Sequence, residues 1–320
     1  MSTSLINVID VGAKFGLHPS FAAIQEESAF VLIDADLEEC RRLSEKYRDN
    51  SNIKIENYFV SDSTDETTIS LNLYKHPGGH SAFFPQTGNF YWDVLRPSSG
   101  LIVGTRQVAV STLDEIVSKH FPILGRTGDF LKIDVEGAEI EVLKSASYLL
   151  SKVVGIRIEV LFNSLYENME PTFGAVDVLL RRQGFTLLRY ELPTNAYAPF
   201  SNFRGQNSYG SIIGADGIYI RNISGILSDD TITVLKTAIF SSINGSVDLA
   251  LYLLEKICSR KDYFSNQNLE YLNILERLIA KSIFENQDLP GQSLIEVAPL
   301  WEKIFQSEPL TYGSYFIRFG

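Results

Sequence analysis

The chain has 320 residues, 45% of them hydrophobic and 21% charged, enough for a sizeable core and about two domains. Its net charge of −11 argues against a nucleic-acid partner, because phosphate backbones are held by Lys and Arg that displace counterions. Cys40 and Cys258, its two cysteines, stand far apart in no metal-type spacing, which speaks against a disulfide framework or a zinc site.

The opening MSTSLINVIDVG has no basic segment ahead of a long apolar one, so no signal peptide is expected. No stretch reaches the roughly 20 apolar residues of a membrane span, and a soluble cytoplasmic protein is expected. The first strand is LINVIDV, residues 5–11, running into the turn VIDVGAKFG and a helical stretch at 15–27. Gly12 and Gly16 punctuate that turn; Gly12 would let the backbone approach a ligand, and the helix start offers unpaired N–H groups. An ordinary tight turn gives the same pattern. A dinucleotide site would want glycine where Lys14 stands, to clear a pyrophosphate. S-Adenosylmethionine has no phosphate and needs no such clearance; Asp10 could face its ammonium and the helix N–H groups its carboxylate. The second strand, FVLIDA (30–35), is followed by a helix at 36–49. Asp34 is placed to accept hydrogen bonds from ribose hydroxyls, while Asp36 suits the N-cap of that helix. After the third strand, IKIENYFV (53–60), Asp62 could approach an adenine amine or simply form a turn.

Residues 62–107 break this rhythm. A polar, partly alternating stretch precedes HPGGHSAFFPQTGNFYWDVLRPSSG, whose length suits a lid or binding loop. Alternation resumes with DFLKIDV (129–135), a helix at 138–150, VGIRIEV (154–160), a helix at 173–183 and FTLLRYEL (185–192). A second loop, 193–214, precedes GIYIRN (217–222). The alternation predicts an α/β fold, a doubly wound, mostly parallel sheet with helices on both faces. From residue 223 the texture becomes helical, at 229–243, 247–260, 269–284 and 294–305. We therefore expect two regions, 1–222 and a helical C-terminal 223–320. The second is a candidate for acceptor recognition, homo-oligomer formation or cover for the sheet edge.

FLKIDVEGAEIEVLK, residues 130–144, sets charges inside an apolar run. Alternation puts Lys132 and Asp134 on one face, and the next strand repeats the pattern with Arg157 and Glu159. Central parallel strands are normally apolar, and unpaired buried charges cost several kcal/mol. One arrangement is a cross-strand ion-pair network, with Glu136, Glu139 and Glu141 near a helix N-terminus. The other sets Asp134, Glu136 and Glu159 at the strand ends, where open α/β sheets bind ligands, with Lys132 and Arg157 behind them as counter-ions.

Taken together, VIDVGAKFGLH, the acidic residue of LIDAD, VSTLDEI (110–116), FLKIDVEGAEIEVLK and IRIEVLFNSLY resemble the FkbM family of S-adenosylmethionine-dependent methyltransferases, in the family's order across residues 5–222. The resemblance implies a class I methyltransferase fold, Rossmann-like, with seven strands of which the last is antiparallel. It implies O-methylation of a hydroxyl on a sugar, glycan or natural-product acceptor. Lys14 stands where the family usually has Asn, Asp34-Ala35 where it has Glu-Pro, and Ser145 where it has Gly. The first strand begins near residue 5, so another segment is expected to cover the cofactor.

The implied site has Asp134, Glu136 and Glu159 as catalytic candidates, and Asp10, Gly12, Gly16, Asp34 and Asp62 as cofactor-binding ones. His76 and His80 are further candidate bases. His18, after the glycine turn, is expected to pack or cap. Tyr91, Trp92, Phe200 and Phe203 could wall a sugar ring or anchor loops. Mg²⁺ on the carboxylates is chemically possible but not predicted, because no tight ligand motif occurs. The competing reading is a non-catalytic binding or scaffold protein that keeps the fold; a nucleotide-dependent oxidoreductase is disfavoured by Lys14.

Overall fold

Strand β1 (Ile6–Val11) is buried along its whole length and lies near the middle of a seven-stranded sheet. The computed structural model describes residues 5–62, 67–120, 128–192, 197–198, 210–285 and 303–305. The chain divides into two units, Met1–Asn222 and Ile223–Gly320. In the first, β2 (Ser28–Asp34), β3 (Ile53–Asn57), β4 (Phe59–Val60), β5 (Thr68–Tyr74), β6 (Ile102–Ser111), β7 (Phe130–Ile133), β8 (Gly155–Leu161), β9 (Phe185–Glu191), β10 (Tyr197–Ala198), β11 (Ser211–Ile212) and β12 (Gly214–Arg221) follow β1. The large sheet has the order β3-β2-β1-β7-β8-β12-β9. Its strands are parallel except β12, which runs antiparallel to both β8 and β9.

Helices flank this sheet: α1 (Leu37–Lys46), α2 (Leu113–His120), α3 (Glu139–Lys144), α4 (Ser147–Leu150) and α5 (Thr172–Arg182). One parity of the strands, Ile9, Val31, Leu131 and Ile156 among it, forms a single core with Ile116 of α2, Val142 of α3, Leu149 of α4 and Val176 of α5. The opposite parity changes character across the sheet. On β2 it is apolar at Phe30 and Leu32, between Ser28 and Asp34 at the strand ends, and Phe30 meets Phe21 edge-on at 6.4 Å. On β1, β7 and β8 it becomes a cross-strand row of charges, with Asp10 beside Lys132 and Lys132 beside Arg157.

Several elements depart from the sequence expectation. IKIENYFV does not stay in one sheet: β3 pairs with β2, whereas β4, after Tyr58, pairs with β6. The expected loop 62–107 holds two strands, β5 and β6, paired antiparallel and forming a three-stranded sheet with β4. Residues 15–27 form only a 3₁₀ turn at Pro19–Ile24, capped by His18, whose side chain accepts from the Ser20 N–H. The helix expected at 138–150 is two, because Asp114 of α2 accepts from the Tyr148 and Leu149 N–H groups and starts α4 afresh.

In the second unit, α6 (Ile223–Ile226) precedes α7 (Thr231–Ile243), α8 (Val247–Ile257) and α9 (Asn266–Glu285). Asp230 caps α7 through the Thr233 N–H at 3.0 Å, and α7 contacts both α8 and α9. Of the expected helix 294–305, residues 303–305 are helical and 294–302 lie outside the described residues.

Candidate active site

A cavity opens at the carboxyl ends of β1 and β2. Val11, Gly12, Lys14, Asp34 and Ala35 line one side, and Tyr58, Phe59 and Val60 continue it. The covering side comes from between β5 and β6: Pro77, Gly78, His80 and Ser81. His80 Nδ1 accepts from the Tyr74 N–H at 3.1 Å, and its Nε2 lies 3.5 Å from Asp36 Oδ2. Pro77, Gly78, His80 and Ser81 belong to HPGGHSAFF, the stretch whose length suits a lid or binding loop. Asp36 is the N-cap of α1 and also takes Lys14 Nζ at 2.7 Å and Arg106 at 3.3 Å. Burial opposes its ionisation, but Lys14 and His80 outweigh it and hold the carboxyl below the usual range.

Gly12 is required by the fold as much as by any ligand. It has φ +77, and a Cβ there would lie 1.7 Å from the Asp134 carbonyl oxygen. Gly16, at φ +102, does not line the cavity. Asp34 does; its Oδ1 accepts from the Asp36 N–H at 2.8 Å, and burial pushes its carboxyl up to about 6. Asp62 is exposed and outside the lining, so the structure does not bring it to the cavity; Tyr58, Phe59 and Val60 stand there instead. Asp10 also lies outside the lining and is fully buried. Its Oδ1 faces Lys132 Nζ at 3.1 Å without a well-aligned hydrogen bond among the described residues. Burial raises its carboxyl to about 6 against the pull of Lys132.

Lys132 is the hub of this row. It donates to the Gly12 carbonyl at 3.0 Å and reaches Asp134 Oδ2 at 3.4 Å. Burial would lower its ammonium, but Asp10 and Asp134 outweigh that and raise it. Arg157 does not back the cluster as expected. Its guanidinium pairs with Asp216 of β12 at 2.6 Å and Glu191 of β9 at 2.8 Å. The antiparallel last strand supplies that partner, and a sequence without known topology could not place it.

Asp134, Glu136 and Glu159 do converge: each offers a carboxylate oxygen within 4.8 Å of the others. Such a group could take a divalent cation, but we assign no metal to it. Burial and then mutual repulsion suppress ionisation, raising Glu136 to about 8 and Glu159 well above the usual range. Glu139 is fully buried beside them; its Oε1 accepts from the Gly137 N–H at 3.1 Å, and burial raises it to about 7. Glu136 itself sits in the left-handed region at φ +53, rare for a non-glycine residue. Tyr166 donates to Glu136 Oε2 at 2.8 Å, and Ser81 Oγ donates to the Glu136 carbonyl at 2.7 Å. Neither partner was assigned a role from sequence, although Tyr166 ends the motif IRIEVLFNSLY; both lie in loops whose contacts no periodicity specifies. His76 begins the Pro77–Gly79 turn without capping it. Trp92 is buried in an aromatic cluster with Tyr74 and Tyr166, and Tyr91 packs beside it, so both anchor loops. Phe200 and Phe203 lie outside the described residues.

A 3-2-1-4-5-7-6 order of the large-sheet strands, an antiparallel last strand and a cavity at the carboxyl ends define a class I S-adenosylmethionine-dependent methyltransferase fold. Residues 10–187 match the family model described as the methyltransferase FkbM domain, and the chain belongs to that family. Among curated proteins none matches the sequence. Similar solved structures include a fibrillarin/Nop5p complex, 14% identical, covering 69% of this chain and 74% of that one, TM-score 0.37. A TehB-like SAM-dependent methyltransferase from Corynebacterium glutamicum is 8% identical over 69% of this chain and 83% of its own, TM-score 0.33. The N-terminal domain of EvdMO1, solved in the presence of SAH and D-fucose, is 9% identical over 68% and 76%, TM-score 0.32. No described helix is long and apolar enough to cross a membrane.

Proposed function

We propose that this methyltransferase acts on a hydroxyl of a sugar, glycan or natural-product acceptor, and that residues 1–222 carry both cofactor and chemistry. The observation that supports it is the convergence of Asp134, Glu136 and Glu159 beside the cavity that holds Gly12 and Asp34. The residues present suit S-adenosylmethionine. Apolar walls at Val11, Ile33, Leu71 and Val135 suit an adenosyl group, and Asp34 is a buried acceptor for ribose hydroxyls. Bound there, the cofactor supplies an electrophilic methyl group.

An aliphatic hydroxyl must shed its proton as it attacks, and a carboxylate within hydrogen-bond reach is the group that takes it. Glu136 is suited to that task. Its raised proton affinity makes its ionised form a stronger base than an exposed carboxylate. Asp134, 3.4 Å from Lys132 Nζ, is proposed to orient the neighbouring carboxylates. The helical unit, Ile223–Gly320, is proposed to serve acceptor recognition or self-association, and the protein to work in the cytoplasm.

Titration calorimetry with S-adenosylmethionine tests the cofactor site; binding should be lost in Asp34→Ala. An acceptor screen by methyl transfer then tests the chemistry, with Asp134→Asn expected to fold and to be inactive. Cofactor binding with no turnover of any hydroxylated acceptor would favour a non-catalytic scaffold. Full activity in Asp134→Asn would remove that residue from the mechanism.

A further inference from the structure

We infer that Tyr166 is a positioning residue that fixes the orientation and ionisation of Glu136; this rests on the reading of Glu136 as the base. The argument begins with the backbone. Glu136 lies at φ +53 and is followed by Gly137 at φ +111, a left-handed pair between β7 and α3. A strained non-glycine residue persists only where its surroundings over-determine it. Here they do so at both ends. Ser81, 55 residues away in sequence, holds the Glu136 carbonyl; Tyr166, 30 residues away, holds its carboxylate.

Tyr166 is itself immobilised. Its backbone bridges to Pro85, the Gln86 N–H donates to the Leu165 carbonyl and the Glu167 N–H to the Phe84 carbonyl. Its ring packs against Phe83 and Trp92, with centroids at 6.1 and 6.0 Å, and the residue is fully buried. A Cβ on Gly137 would stand 3.2 Å from the Tyr166 ring, so ring and left-handed turn fit each other. A rigid phenol aimed at one carboxylate oxygen is preorganised for that contact.

The direction of the effect follows from the donor. Burial and the nearby Glu136 and Glu159 push the phenol well above its ordinary range, so it stays protonated and donates. A donated hydrogen bond favours the ionised carboxylate. Tyr166 therefore opposes burial and the charges of Asp134, Glu139 and Glu159, with Lys132 on the same side as Tyr166. Tyr74 and Tyr91 also face Glu136. Without the phenol, Glu136 would hold its proton to higher pH and lose its fixed rotamer.

The test compares Tyr166→Phe, Ser81→Ala and Glu136→Gln with wild type. Methyl-transfer rate against pH should show an acid limb that moves up by about one pH unit in Tyr166→Phe, the size expected for a hydrogen bond to a charged group. S-Adenosylmethionine affinity should not change. Ser81→Ala should lower the rate without moving the limb, and Glu136→Gln should abolish it. An unmoved limb in Tyr166→Phe, or wild-type rate in Glu136→Gln, overturns the inference. A second readout needs no acceptor: the infrared carboxylic-acid band, assigned by its loss in Glu136→Gln, titrated with pH. Its midpoint should rise in Tyr166→Phe. If that midpoint rises while no protein transfers methyl to any acceptor, the positioning role stands and the hydroxyl-acceptor reading fails. If it does not rise, the positioning role fails.

Discussion

Replacing Lys132 by Met should destabilise the first unit in a pH-dependent way, and the structure sets the size of each part. Asp10 and Lys132 form a buried pair, 1% and 7% exposed at the side chain. Breaking such a pair usually costs about 3–5 kcal/mol, because the surviving charge is stranded. Here Asp10 has an escape, since it is already close to neutralising. Its carboxyl titrates at about 6 in the fold against an ordinary 3.8. A raised carboxyl opposes folding above its folded value, and that penalty is relieved as pH falls through it. At pH 7 the wild-type penalty is about 3 kcal/mol, at 1.36 kcal/mol per unit. With Lys132 gone, Asp10 stays protonated at pH 7, and holding that proton costs about 4 kcal/mol. The pair itself thus accounts for about 1 kcal/mol, and the lost contacts to the Gly12 carbonyl and Asp134 for about 1–2 more. The total is about 2–3 kcal/mol at pH 7 and about 1–2 at pH 5, where Asp10 is protonated in both proteins. Urea unfolding read by Trp92 fluorescence in a Trp301→Phe background isolates this unit. The midpoint should fall by about 1 M at pH 7 and by less at pH 5. A loss of 3–5 kcal/mol that is equal at both pH values would show that Asp10 remains charged, and would refute the reasoning.

Gly12→Ala should be worse tolerated than any cavity-wall substitution. Backbone strain alone costs about 1–2 kcal/mol, and the new Cβ must also push back the Asp134 carbonyl, so thermal stability and cofactor binding should fall together. The pH dependence of stability should run opposite to that of a protein with salt-bridged carboxylates. Asp10, Asp34, Glu136 and Glu139 titrate at about 6, 6, 8 and 7, all above their ordinary values. The folded state therefore binds more protons than the unfolded one between about pH 5 and 8, and stability should fall steadily as pH rises through that window. Melting temperatures that rise over that range would contradict the burial of these groups. Lys14→Asn should cost about 1–3 kcal/mol of unfolding free energy, because Lys14 donates at 2.7 Å to a carboxylate largely shielded from water while Arg106 remains on it; no measurable loss would show that Arg106 alone satisfies Asp36.

The parts of this fold legible in the sequence are those in which one local signal has one solution. β1, β2 and β8 are rich in β-branched residues and bounded by turn residues, and β7 is a short apolar run between Gly128 and the Glu136–Gly137 turn, so each reads locally as a strand. Tyr58 shows where that logic stops. IKIENYFV has the pattern of one strand, and only the presence of β6 as a partner draws Phe59 and Val60 into a different sheet. β5 alternates in burial only in part, and β6 alternates regularly but sets Gly104 and Arg106 on its shielded side and Val103 on its exposed side, so hydrophobicity did not follow burial. The break between α3 and α4 is likewise made by a residue distant in sequence, Asp114, and not by a local helix breaker.

The charges in KIDVEGAE follow the same division. Their shared parity was visible, and it correctly placed Asp134 and Glu159 on one face and at one end. What parity cannot give is which cation answers which carboxylate. Ion pairing and carboxylate convergence occupy different layers of the sheet, and the counter-ion role expected of Arg157 is absent from the second. One level below the strand ends, Asp10, Lys132 and Arg157 form the cross-strand row, neutralised partly by Asp216 and Glu191 from strands later in the chain. Above it, Asp134, Glu136 and Glu159 exceed the positive charge available, since Arg157 is taken and Lys132 is shared. An acidic surplus in a half-buried cluster keeps protons that exposed carboxylates would release. That surplus, held on the rigid ends of β7 and β8 and the left-handed turn at Glu136, raises the proton affinity of the cluster, the property on which the proposed base role of Glu136 rests.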